Sequence, residues 1–163
     1  MDSGSQTFRH AVAIDPSDID HMGHVNNSVY LKWVQDAVID YWQSVAPPDA
    51  VARHLWVALK HEISYRKPTF LQDNVVAEVI AEKMEGARAY FTTVVRRGQD
   101  VLSEVKSCWC CLDAVTQRPA RLARDVASRF LPPSPCDTFQ NSSFDPLRTF
   151  AEDPLHLRQR LPL

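Results

Sequence analysis

Residues 18–27, DIDHMGHVNN, hold two aspartates, two histidines and two asparagines around a single glycine. Carboxylates and imidazoles exchange protons in catalysis, and glycine lets backbone approach a reacting group with no side chain between them. Asp18, Asp20, His21 and His24 are also ligand types for zinc or iron. The other histidines, His10, His54, His61 and His156, are scattered along the chain, so no second cluster completes a coordination sphere, and no metal is expected. The remaining chemistry is that of a carboxylate acting as base or nucleophile. Asp20 stands nearest the glycine, two residues after Asp18.

The elements around this loop follow from periodicity. In SVYLKWVQDAVIDYWQSV, Lys32, Gln35 or Asp36, Asp40 and Gln43 form one narrow polar stripe, while Tyr30, Leu31, Trp33, Val34, Ala37, Val38, Tyr41 and Trp42 cover the rest. A helix so apolar around its circumference is a central one, wrapped by other structure. Asn26 or Asn27 is placed to cap it. The N-terminus of a helix offers unpaired N–H groups and partial positive charge to whatever binds there. APPD at 46–49 ends the helix, because proline cannot continue it.

FRHAVAI precedes the loop as a short strand. LWVALKHEISYR alternates, with Val57, Leu59, His61, Ile63 and Tyr65 on one face and Ala58, Lys60, Glu62, Ser64 and Arg66 on the other. NVVAEVIAEKM, ARAYFTTVVR and VLSEVKSCWCCLDAV follow, joined by turns at Glu85-Gly86 and RGQD, which reads as an antiparallel meander. RDVASRFL is a short helix stopped by Pro132-Pro133. The order predicts an α+β fold, an antiparallel sheet wrapped around one long helix.

Composition sets the outer bounds. A net charge of −2 gives no basic field for nucleic acid, and no apolar run approaches the ~18 residues of a membrane span. The start, MDSGSQTFRH, has no apolar signal region, so a cytoplasmic protein with reduced thiols is expected. Cys108 and Cys111 have the form of half a zinc knuckle or a redox pair. On an alternating strand they point to opposite faces and are read as core thiols. Residues 1–131 form the predicted domain. Residues 132–163 are expected to form a proline-rich, partly ordered tail, read either as a flexible segment or as one that docks through Phe139, Phe144, Leu147 and Phe150.

DIDHMGHVNNSVYLKW resembles the signature of hotdog-fold thioesterases of the 4-hydroxybenzoyl-CoA thioesterase type, roughly D-x-D-x-x-G-H/V-V-x-x-x-x-Y ahead of the central helix. Asp18, Asp20, Gly23, His24, Val25 and Tyr30 fall in place, and HVNN is similar to the plant-type acyl-carrier-protein thioesterases. KHEISYRKPTFLQD resembles the family's second strand through Tyr65, Pro68 and Asp73. The likeness runs from about Phe8 to Leu131.

The resemblance implies a hotdog fold and hydrolysis of an acyl-CoA, or acyl-carrier-protein, thioester to free acid and thiol without a cofactor. It implies that Asp20 is the catalytic carboxylate and that backbone N–H groups around Gly23, His24 and Val25 polarise the carbonyl. Whether His24 contacts the thioester or only bonds within the loop stays open, as does base against nucleophile for Asp20. Asn26, Asn27 and Tyr30 are candidate substrate contacts, and Glu62 is a second candidate carboxylate. Arg66 and Lys67, with Arg88, Arg96 and Arg97, lie at strand ends where a CoA phosphate can be held by charge-assisted bonds. The resemblance also implies a homodimer or homotetramer with sheets paired side by side. The competing reading is a non-catalytic hotdog module that binds acyl groups or only assembles.

Overall fold

The β-branched and aromatic runs form five strands of one antiparallel sheet in the computed structural model of the protein, which describes residues 6–132. They are β1 (Phe8–Val12), β2 (His54–Tyr65), β3 (Val75–Glu85), β4 (Arg88–Arg97) and β5 (Asp100–Asp113), in the spatial order β1-β3-β4-β5-β2. The last three pair consecutively, as the short turns require. β2 is connected through helices and joins the far side of β5 as a twelve-residue edge strand. The tail segment with Phe139, Phe144, Leu147 and Phe150 lies outside the described residues.

The central helix α1 (Val29–Val45) buries Tyr30, Trp33, Val34, Ala37, Val38, Tyr41 and Trp42. Leu31 is only partly covered, so the exposed stripe is wider than the sequence suggests. Val34, Ala37, Val38, Tyr41 and Trp42 pack on Ala77, Val79, Phe91, Val105 and Trp109 of the sheet. Tyr41 stacks on Phe8 at 4.9 Å, and Trp42 on Phe130 at 5.6 Å. Each buried aromatic removes roughly 150–250 Å² from water, so these stacks help to hold α1 against β1 and the segment after residue 127. This is the hotdog architecture, α+β, with the helix packed on one face of the sheet.

Two local features depart from the sequence reading. After α1 the prolines start a second short helix, α2 (Pro48–Arg53), because a proline at the first helical position gives up an N–H that has no helical partner there. In β2 a bulge between Ala58 and Lys60 inserts one residue. Trp56 and Ala58 therefore share the core side with Ile63, while Val57 and Leu59 are 46% and 52% exposed on the other side. Uninterrupted periodicity places Val57 and Leu59 with Ile63, and the bulge corrects it.

Cys111 faces the core, and burial pushes its thiol up to about 12. Cys108 lies on the opposite side of the sheet, against Lys60, Glu62 and Tyr90. A short helix α3 (Arg124–Ala127) closes the far end of the sheet, with Val126 and Phe130 in the core. No helix among the described residues is long and apolar enough to cross a membrane.

Candidate active site

The loop between β1 and α1 is built in two steps. Asp15 accepts from the Ser17 N–H at 2.8 Å, and Asp18 Oδ2 accepts from the Asp15 N–H at 2.9 Å. This reciprocal cap starts a single 3-10 turn, Pro16–Asp18, and the bonds from Ser17 hold the Asp15 carboxyl below its usual range. The Asp18 carboxylate thus has a structural partner. A small antiparallel bridge, Ile19 with Val25, follows. It is closed by Asp20 N–H to His24 O at 2.9 Å and Asn26 N–H to Asp18 O at 2.8 Å. Gly23 lies at the tip with φ +84°, a backbone conformation costly for any residue with a side chain.

Within this loop Asp20 Oδ1 accepts from the Met22 N–H at 2.9 Å and stands 3.8 Å from His24 Nδ1. Both side chains are partly covered. A cleft of about 190 Å³ opens beside them, lined by His24, Val25, Asn27, Tyr30, Tyr65, Arg66, Lys67 and Pro68. Asp20 is not among its walls, but stands 3.8 Å from His24, which is.

Two of the three expected backbone donors are already engaged. The Gly23 N–H is spent on Asp20 O at 3.1 Å, and the Val25 N–H on Thr69 O at 2.8 Å. Neither is available to a substrate, because the tight loop uses them to close itself. Among the described residues, the N–H groups of His24 and Asn27 have no protein acceptor.

The capping expectation needs the same correction. The residue flanking α1 is Ser28, which has helical backbone angles and makes no side-chain cap bond. Asn26 supplies the acceptor from two residues earlier. Its Oδ1 accepts from the Ser28 N–H at 2.9 Å and the Ser28 hydroxyl at 2.7 Å, while its carbonyl accepts from Val29 at 3.0 Å. Asn27 contributes only its carbonyl, which accepts from the Tyr65 hydroxyl at 2.7 Å.

The segment after β2 clamps the loop. Thr69, fully buried, holds Val25 through its carbonyl and meets the Tyr30 hydroxyl at 2.6 Å through its own. Tyr30 is correspondingly buried, and desolvation pushes its ionisation up. Asp73 Oδ2 accepts from Phe70 N–H at 2.8 Å and pairs with Arg97 at 2.6 Å, while Arg97 also bonds the Pro68 carbonyl at 3.3 Å. Tyr65, Pro68 and Asp73 therefore share one task, holding this clamp against the loop. Thr69, its central residue, is not singled out by sequence; a lone threonine after a proline carries no signal.

The other candidates divide. Arg66 and Lys67 reach the cleft, but Arg66 pairs with Glu104 at 3.3 Å and Lys67 with Asp100 at 2.6 Å. Arg96 pairs with Glu78 at 2.8 Å. Glu62 is not brought to the cleft. It lies on the opposite face of the sheet, in a groove with Lys60, Glu82, Tyr90 and Lys106, since its neighbour Ile63 points inward. Among the described residues no three His, Cys, Asp or Glu side chains converge as a metal site.

The sequence model of the thioesterase-like superfamily matches residues 14–130. A thioesterase from Thermus thermophilus, solved in complex with coenzyme A and Zn, superposes with a TM-score of 0.65 at 25% identity, covering 75% of this chain and 90% of that one. A 1,4-dihydroxy-2-naphthoyl-CoA thioesterase from Synechocystis shares the fold with a TM-score of 0.65 at 13% identity, covering 77% and 96%.

Proposed function

The chain belongs to the thioesterase-like superfamily, and on that premise we propose that it is a hydrolase of acyl-CoA thioesters. The observation that carries the reading is the cleft at the entry to α1. It is walled by two residues, His24 and Asn27, whose backbone N–H groups have no protein acceptor, with the Asp20 carboxylate next to His24. Coenzyme A in the Thermus relative's complex supports the choice of carrier.

In this reading Asp20 acts as general base. It takes a proton from a water molecule whose oxygen attacks the thioester carbon. The carbonyl oxygen becomes an oxyanion, and unpaired N–H groups of the cleft stabilise it. The C–S bond then breaks, the acid leaves, and the thiolate takes up a proton from Asp20. The exposed apolar side chains of Met22, Tyr65, Phe70 and Leu71 lie on the segments that frame the cleft and suit an acyl group.

The proposed assembly is a homodimer joined through β2, or a tetramer of two such dimers. β2 is long, lies at the sheet edge and carries exposed Leu55, Val57 and Leu59 beside unpaired backbone, the kind of edge that another strand covers.

A panel of acyl-CoA substrates of varied chain length and aromaticity, read by free-thiol release, tests the function. Turnover of at least one substrate class is expected. Absence of thiol release across the panel, and from the matching acyl-carrier-protein substrates, would favour a binding or assembly module.

A further inference from the structure

We propose that Tyr65 is a positioning residue for the hydrolysis: its hydroxyl, by holding the Asn27 carbonyl, keeps the Asn27 N–H presented to the oxyanion in the cleft. The proposal rests on the thioesterase reading above.

Two peptide planes meet at Asn27. The first joins Asn26 to Asn27, and its carbonyl accepts from the Val29 N–H at 3.0 Å. The second joins Asn27 to Ser28. Its N–H donates to Asn26 Oδ1 at 2.9 Å, and its carbonyl accepts from the Tyr65 hydroxyl at 2.7 Å. Both groups of the second plane and the carbonyl of the first are thereby engaged within the protein. The group left over is the Asn27 N–H, which has no protein acceptor among the described residues. A trans peptide is planar, so the direction of its N–H follows from where its carbonyl is held. Pinning the next plane limits rotation about the bonds that join the two.

Of these bonds, the one from Tyr65 comes from outside the turn. Those from Val29 and Ser28 are local and move with the turn as a unit. Tyr65 stands on β2, 38 residues along the chain from Asn27. There its backbone is paired with Ser103 of β5, and the Arg66 N–H beside it donates to Leu102 O at 2.8 Å. Its ring lies edge-on to Tyr30 at 5.3 Å. The sheet fixes the ring, and the hydroxyl ties the entry of α1 to the sheet. Desolvation raises the ionisation of Tyr65 above the ordinary tyrosine value, so the hydroxyl keeps its proton at neutral pH. That single proton goes to Asn27 O, which leaves none for the substrate. Tyr65 therefore acts through Asn27, and donors to an oxyanion are effective only where they are held in place beforehand.

The test compares wild type with Tyr65→Phe on the acyl-CoA that wild type hydrolyses best. The substitution keeps the ring and removes only an exposed hydroxyl, so the fold is expected to survive, as a thermal melt will show. Its kcat should fall by about tenfold or more with KM within about twofold of wild type, because a displaced donor weakens the transition state and not the bound substrate. A kcat within about twofold of wild type overturns the proposal and leaves the thioesterase reading intact. A wild type that releases thiol from no thioester overturns that reading instead.

Two inhibitors and a pH profile separate positioning from other roles. A trifluoromethyl-ketone analogue of the acyl-CoA, whose hydrate mimics the tetrahedral intermediate, should bind Tyr65→Phe more weakly by the same factor as kcat falls. The thioether analogue, which has no carbonyl oxygen, should bind both proteins alike. Equal weakening of both inhibitors overturns the positioning role, since the hydroxyl would then shape the cleft as a whole. The pH profile of kcat should keep both its limbs in Tyr65→Phe. Loss of one limb would make Tyr65 a proton-transfer group and would also overturn the proposal.

Discussion

The hydroxyls of Tyr30 and Thr69 meet at 2.6 Å in the buried interior, joining the first turn of α1 to the segment that follows β2. The Thr69 carbonyl holds the Val25 N–H, so one residue fixes both the loop and the helix it leads into. Thr69→Val keeps the shape and leaves the Tyr30 hydroxyl buried without a partner, at an expected cost of about 1–3 kcal/mol in denaturant unfolding. Adding Tyr30→Phe removes the orphaned group and should recover most of that loss. Additive costs in the double variant would show that the hydroxyl pair is not the coupling between them.

The Asn26 and Asn27 side chains have unequal work. Asn26→Ala removes the acceptor for Ser28 and should cost about 1 kcal/mol, read as a lowered melting temperature. Asn27→Ala leaves its carbonyl in place for Tyr65 and should leave stability nearly unchanged. Equal melting temperatures for the two variants would contradict this assignment.

His61 faces inward from β2 with both ring nitrogens buried and unpaired, edge-on to Trp109 at 5.8 Å. Burial holds its imidazole below the ordinary range. With the folded-state pKa depressed, the unfolded chain binds the proton more readily. The neutral ring's contribution to stability is present above the ordinary histidine value of about 6.5 and is lost as pH falls below it. Unfolding free energy measured from pH ~7 down to ~5 should therefore fall more steeply in wild type than in His61→Phe. Identical pH slopes would mean that His61 is not held neutral in the folded protein.

What the sequence revealed followed the physics it records. Hydropathic period marked α1 and the five strands, because burial of one face writes itself into residue order. The loop was legible because few structures other than a site concentrate two aspartates, two histidines and two asparagines around one glycine. The β2 bulge was not, since an inserted residue leaves composition unchanged and only shifts the phase beyond Ala58. That shift also puts Val57 and Leu59 on the exposed side rather than with Ile63. Two of the three expected backbone donors, Gly23 and Val25, are engaged within the protein for a related reason. Whether Gly23 or His24 keeps a spare N–H depends on how the loop closes on Asp20 and Thr69. Likewise, Arg66 and Lys67 read as phosphate ligands until Glu104 and Asp100 arrive from β5, far along the chain.

The loop carrying Asp20 and His24, whose Oδ1 and Nδ1 lie 3.8 Å apart, is the proposed place of thioester cleavage. The most direct test is the steady-state rate of thiol release from the best acyl-CoA substrate by wild type and Asp20→Asn. The substitution keeps the acceptor for the Met22 N–H and removes the base. A loss of about 10²–10⁴-fold in kcat, with KM largely retained and an unchanged melting temperature, is the expected result. Wild-type turnover by Asp20→Asn would contradict the assignment of this loop as the reaction site.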